Sequence, residues 1–386
     1  MKLSSKIVFT HTVMLATLTC AAVTRTSAAE AVPASDAAPA AAAVADGDPS
    51  ANPSAVAEAS ASVAEPVDVQ VYQAPSIEDF PTLHYPRGQD PMEKEGWVHL
   101  NFMVDPNGKA YEISVVDSIG GEPFERDAIR AVQKARFRPA RDGSTPVHAG
   151  FDLSLLYATN PLYPGGRKVA SPKFVRAYKA LADSIERGDK AAADEQIPNL
   201  EVTSIYAYIH KNLILYDYHR KWGTERQQYA DLLTAVAHVQ RDWKLYLDKK
   251  TYVSSLNSVL ALALKLNDLG RALVNWEIIQ KHATREQIAA WQPTMDQVSR
   301  LRESGPPVHL EAEIENGTSW FNHLFRKSFE VVVLSGRVSD IKLRCEKKFI
   351  FFRYEPDVRY TVDPRAGECI IQVVGDTGTK FDFVQL

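Results

Sequence analysis

The sequence predicts a multidomain α+β chain: a small ββαβ domain, an all-α middle of helical hairpins, and a small all-β C-terminal domain. Three observations predict it. Apolar and polar residues alternate with period two between Trp97 and Tyr157, around one helical stripe. From Ser171 to Glu303 apolar residues recur three and four apart, and from Pro306 to Leu386 short β-branched and aromatic runs return between turn residues. The length of 386 residues fits roughly two to four domains. With a net charge of −4 the chain carries no nucleic-acid footprint.

The first residues place Lys2 and Lys6 before a mostly apolar run from Ile7 to Val23, which small residues at Ser27, Ala28 and Ala29 close. That layout predicts a cleaved secretory signal peptide over residues 1–29 and a periplasmic location. An uncleaved anchor facing the periplasm is the alternative. It is opposed by Thr10, His11, Thr12, Thr17 and Thr19, which dilute a run already short for a membrane span. A lipoprotein through Cys20 is the third reading. Residues 30–66 are Ala, Pro, Ser, Val and Asp without an aromatic residue, which predicts a disordered linker.

In "WVHLNFMVD" Val98, Leu100, Phe102 and Val104 share one face, with His99 and Asn101 on the other; "DPNG" at 105–108 is a turn, and Tyr111, Ile113 and Val115 resume the alternation. A hairpin follows from this. Next, Pro123 opens a helix, Glu125 and Asp127 suit its positive end, and Lys134, Arg136 and Arg138 its other end. Phe124, Ala128, Val132 and Ala135 form its apolar stripe, and Pro139 is expected to stop it. A third strand from Val147 to Leu155 turns Ala149, Phe151, Leu153 and Leu155 inward and His148, Gly150, Asp152 and Ser154 outward.

This order resembles the C-terminal domain of the TonB family of energy transducers, on residues 81–158. The resemblance rests on Tyr85 and Pro86 ahead of Glu95 and Gly96, the alternating strand into Asp-Pro-x-Gly, and Phe124, Ala128, Ala131 and Val132 ahead of Phe137 and Pro139. It implies that the last strand, Val147 to Leu155, takes up an extended peptide of an outer-membrane transporter, or of another envelope protein, by strand addition. An anchored transducer coupled to inner-membrane motor proteins is the alternative. Two departures bear on it: Ile7 stands where family anchors carry a serine four residues before the histidine, and the linker is short and Ala-rich. A covering of the edge by the chain's own linker or helices is the competing expectation.

Within residues 171–303 a tetratricopeptide-like pair is expected. Leu256, Val259, Leu260 and Ala263 form one stripe, Asn267 to Gly270 turn the chain, and Ala272, Trp276 and Ile279 face back. Tyr206, Tyr208, Tyr216 and Tyr218, with His210 and His219, read as helix packing rather than a ligand platform. Residues 306–386 are expected to form a sandwich or barrel. Cys345 and Cys369 remain after the signal in an oxidising compartment and are expected to pair.

No zinc-protease, phosphate-loop, nucleophile-elbow or dinucleotide signature occurs, and the 10 histidines are scattered, so no catalytic residue, metal, cofactor or small-molecule substrate is assigned. An enzyme in the C-terminal domain is the least favoured alternative. His99 and His148 are expected to be solvated on polar strand faces.

Overall fold

In chain order the strands and helices are β1 (Tyr72–Gln73), β2 (Ser76–Asp79), β3 (Gly96–Val104), β4 (Ala110–Ile119), α1 (Glu122–Lys134), β5 (Arg136–Arg138), β6 (Ala140–Asp142), β7 (Thr145–Val147) and β8 (Ala149–Tyr157). Helices follow: α2 (Pro172–Arg187), α3 (Lys190–Gln196), α4 (Ile205–Trp222), α5 (Glu225–Ala237), α6 (Lys249–Lys265), α7 (Leu269–His282) and α8 (Arg285–Glu303). Strands then return as β9 (Val308–Glu313), β10 (Ser319–His323), β11 (Ser328–Ser335), β12 (Val338–Cys345), β13 (Phe349–Arg353), β14 (Tyr360–Thr361), β15 (Cys369–Gly375) and β16 (Lys380–Gln385). The computed structural model describes residues 72–89, 94–157, 170–237, 243–315 and 317–386, and all of these belong to one compact unit. The expected signal peptide and linker lie outside the described residues. Among the described residues no helix is long and apolar enough to cross a membrane.

The first sheet has the order β4-β3-β8. Asp105 closes its hairpin: its backbone carbonyl accepts from Gly108 (2.9 Å) and its carboxylate from the amides of Asn107 and Lys109. Gly108 has φ +77°, and a Cβ there would lie 2.0 Å from the Phe137 carbonyl. α1 covers one face, where Phe124, Ala128 and Val132 share a core with Val98, Leu100 and Phe102. The helix ends at Lys134, before Pro139, which corrects the expected stop. The Ala135 backbone turns extended, the Phe137 amide donates to the Gly108 carbonyl (3.0 Å), and Arg136 and Arg138 pair with β2. These two arginines therefore sit on a strand, not in the last helical turn. The hydrogen bonds of an extended backbone outweigh one more turn of helix once Phe137 is buried against Phe102.

Capping residues start the helices. Ser171, Asp189, Ser204, Asp248 and Asp268 each accept a backbone amide of the first turn, and Thr284 with Gln287 forms a capping box. The stripes of α6 and α7 are buried as spaced: Leu256, Val259, Leu260 and Ala263 against Ala272, Trp276 and Ile279. The turn between them is shorter than expected, because Gly270 already lies in α7.

The C-terminal strands form two four-stranded sheets, β10-β15-β12-β13 and β14-β11-β16-β9. Ile341, Leu343, Ile371 and Val373 of one meet Phe329, Val331, Phe381 and Phe383 of the other in a single core, so the region is a sandwich. Cys345 and Cys369 face each other across β12 and β15 and are joined by a disulfide.

Candidate functional site

The candidate site is the outer edge of β8. This strand runs antiparallel to β3, from Gly96 opposite Tyr157 to Val104 opposite Ala149. Among the described residues β3 is its one strand partner, which leaves a row of backbone donors and acceptors facing outward. The strand is shorter at its start than the sequence suggests. Val147 belongs to β7, which pairs with β6 around the Gly143–Ser144 turn, and His148 lies between the strands. A residue already paired in its own hairpin cannot also extend β8.

Side chains on the inner face fix the strand against α1. Leu155 and Tyr157 are buried, with Phe151 and Leu153 packed on the same core, and the Tyr157 hydroxyl donates to Asp127 Oδ2 (3.0 Å). The motif residues support this core. The Tyr85 ring meets Phe124 edge-on at 5.3 Å and its hydroxyl donates to the Lys94 carbonyl, while Pro86 is buried. Gly96 and Gly120 sit on either side of the Phe124 ring: a Cβ would come within 2.2 Å of it at the first and 2.5 Å at the second. Pro139 is the half-buried joint between β5 and β6.

The outer face carries Gly150, Asp152 and Ser154. His99 is not simply solvated: Nδ1 is 3.0 Å from Ser154 Oγ and Nε2 is 3.3 Å from Asp152 Oδ1, with the ring stacked on Trp97. Asn101 Nδ2 also donates to Asp152 (3.0 Å). Burial pushes the Asp152 carboxyl up, but the hydrogen bonds from His99 and Asn101 and the His99 charge outweigh it, so the group lies below its ordinary range. His148 Nδ1 is likewise engaged, 2.9 Å from the Tyr111 hydroxyl. His99 is thus more engaged than expected, whereas His148 stays exposed, as expected, with its one hydrogen bond at the surface.

The sandwich lies against that face. Arg344 of β12, only 2% exposed, donates to Gln372 Oε1 (2.7 Å), to the Glu112 carbonyl (3.0 Å) and to Ser114 Oγ (2.8 Å). Burial lowers its guanidinium to about 10. Lys342 pairs with Glu112 at 2.7 Å and Lys347 with Asp142 at 3.0 Å, and the backbone of Arg344 and Cys345 lies beside Gly150. The layers therefore run α1, first sheet, β10-β15-β12-β13, β14-β11-β16-β9. Helices clasp the sheet end through Glu95, buried at 3%, whose Oε2 accepts from the Ile205 amide at the α4 N-terminus (3.0 Å). Sequence reading missed Arg344, Glu112 and Gln372, and had Glu95 only as part of the motif.

The aromatic helix is core. Tyr206, Tyr216 and Tyr218 are buried, His219 holds Asp231 at 2.6 Å, and burial lowers His210 to about 4. Among the described residues no three His, Cys, Asp or Glu side chains gather as a metal set.

Residues 81–159 match the family model of the Gram-negative bacterial TonB protein C-terminal. Among solved structures the chain is similar to the solution NMR structure of Pseudomonas aeruginosa TonB CTD, 24% identical over 22% of this chain and 85% of that one, with a TM-score of 0.20. No curated protein matches the chain. The helix-backed sheet is thus a TonB C-terminal-like domain, and the helices and the β-rich region beyond residue 159 lie outside the match.

Proposed function

We propose that this is a periplasmic, TonB-like envelope protein that binds an extended peptide of an outer-membrane transporter, or of another envelope protein, along the β8 edge by strand addition, and that it binds rather than catalyses. The observation that carries the reading is that β8 ends the sheet, with β3 as its one strand partner among the described residues, while Gly150 on the face beside it lies against the sandwich, which directs a ligand strand to the edge. On this reading residues 81–158 bind, and the helical hairpins of 171–303, of tetratricopeptide-like kind, and the sandwich of 306–386 brace the binding sheet and offer further surfaces.

The test leaves the protein unaltered. Peptides from transporter N-termini are titrated against the full chain, each also made with backbone N-methyl groups on alternate residues in either of two frames. Successive N–H groups of a strand point to opposite sides, so one frame removes the donors that face β8 and the other does not. With each ladder bond worth about 0.5–1.5 kcal/mol, losing three should weaken binding tenfold or more in one frame only. Equal binding in both frames, or no binding of the unmodified peptides, excludes the edge mechanism.

A further inference from the structure

The sandwich carries an edge of its own, and its residues are apolar. β13 ends the sheet β10-β15-β12-β13, and among the described residues β12 is its one strand partner. The Cys345 amide donates to the Lys348 carbonyl (2.9 Å) and the Tyr354 amide to the Ser339 carbonyl (3.0 Å). In an antiparallel pair only every second residue bonds a given neighbour, so the bonds to β12 belong to Lys348, Ile350, Phe352 and Tyr354. The amides and carbonyls of Phe349, Phe351 and Arg353 therefore point away from the sheet.

Little on this edge keeps another strand off. Phe349–Arg353 contains no proline, and its register with β12 runs without a bulge, two of the devices by which single edges are usually protected. Ile350 and Phe352 pack at the rim of the sandwich core. On the opposite face Tyr111 meets the Phe349 ring edge-on at 5.9 Å, but Phe351 is 49% exposed. The Arg353 side chain is 78% exposed, with Asp340 4.0 Å away.

We propose that this edge joins two copies of the chain, β13 against β13 in antiparallel around a twofold axis at Phe351, so that one sheet runs through both sandwiches. The strand complements itself, which is what selects a second copy as its partner. Centred on Phe351, every outward residue meets an outward residue: Phe351 meets its own counterpart, and Phe349 meets the partner's Arg353. Each such pair exchanges two backbone bonds. Phe351 gains an aromatic neighbour, Arg353 gains the ring of the partner's Phe349, and Ile350 comes opposite the partner's Phe352 beside the core. A register shifted by one residue sets outward groups against inward ones and loses the ladder. A shift by two leaves Phe349 or Arg353 without a partner. Because one strand from each copy makes a small interface, the dimer should form in the micromolar range. The joint stands independently of peptide binding at β8.

Sedimentation of the full chain over a concentration series tests it. The wild type should double in mass as concentration rises, and Phe351→Lys, which sets like charges opposite one another at the axis, should remain a monomer throughout. Leu334→Lys, which changes the more exposed apolar side chain on β11 (64%), should dimerise as the wild type does. Cysteines read the register, since Cys345 and Cys369 are already bonded to each other. Opposed residues of a bonded pair stand about 5.5 Å apart at Cα, within reach of a disulfide, so mild oxidation should link Phe351→Cys chains into covalent dimers. Two copies of residue 353 stand on the order of 13 Å apart along the strands, so Arg353→Cys chains should link no more than the wild type does. The proposal is overturned by a wild type that stays monomeric, by Phe351→Lys associating as the wild type does, or by Leu334→Lys losing the dimer equally. Should Phe351→Lys fail to fold, the cysteine variants decide: no link through Phe351→Cys, or an equal one through Arg353→Cys, overturns the joint.

Discussion

Phe124 shows how much one residue can organise. Its side chain is fully buried, with Tyr85 and Tyr157 edge-on at 5.3 and 5.2 Å, and two glycines make the room it fills. Phe124→Ala should cost about 3–5 kcal/mol, measured by urea denaturation. Gly96→Ala should cost about 1–3 kcal/mol by the opposite route, because the added methyl overlaps the ring and either the helix or the strand must move. A melt unchanged by Gly96→Ala would contradict the packing. Arg344 is the other decisive residue. Its truncation leaves Gln372, Ser114 and the Glu112 carbonyl short of a donor between two sheets, so Arg344→Ala should lower stability by about 3 kcal/mol or more. An exposed arginine on the same strand alternation would change almost nothing.

Elements were legible in the sequence where the local signal and the tertiary environment agree. The β3–β4 hairpin, with its Asp105 turn, and the stripes of α1, α6 and α7 are such cases. Where α1 ends was not legible, since it depends on partners far along the chain, Phe137 on Gly108 and Arg136 on Asp79; the start of β8 was missed at a local hairpin, which pairs Val147 with Ala140. The disulfide belongs to this scale as well. It ties β12 to β15 across a separation of 24 residues, and on the chain-entropy account Cys369→Ser should lower stability by about 3 kcal/mol. Thermal melts of oxidised and reduced protein check the value, and the reduced wild type should melt with the variant. The bond also sits one residue from Arg344, so its loss should loosen the sandwich from the sheet before the sheet itself unfolds. Hydrogen exchange of Gly150 and Ser114 reads that order.

At the scale of the molecule, β3 is buried on both faces: Val98, Leu100 and Phe102 under α1, and Trp97, Asn101 and Met103 on the side of the sandwich. A chain ending at Glu303 should therefore bind a hydrophobic dye, whereas the full chain should not; a dye-silent truncation would mean that the sheet is self-sufficient. Sequence alone determined the helix-backed sheet, the helical middle, the β-rich end and the cysteine pair, because periodicity, turn residues and cysteine count are local properties. Only the tertiary structure decided which polar face would be covered, that His99 and Asp152 bond to one another, that Gly270 would lie in a helix under β10, and that an arginine of the third region would be buried on the first. Those outcomes follow from the stacking of one sheet on another, and the alternation of a strand says which residues share a face but not what comes to lie on it.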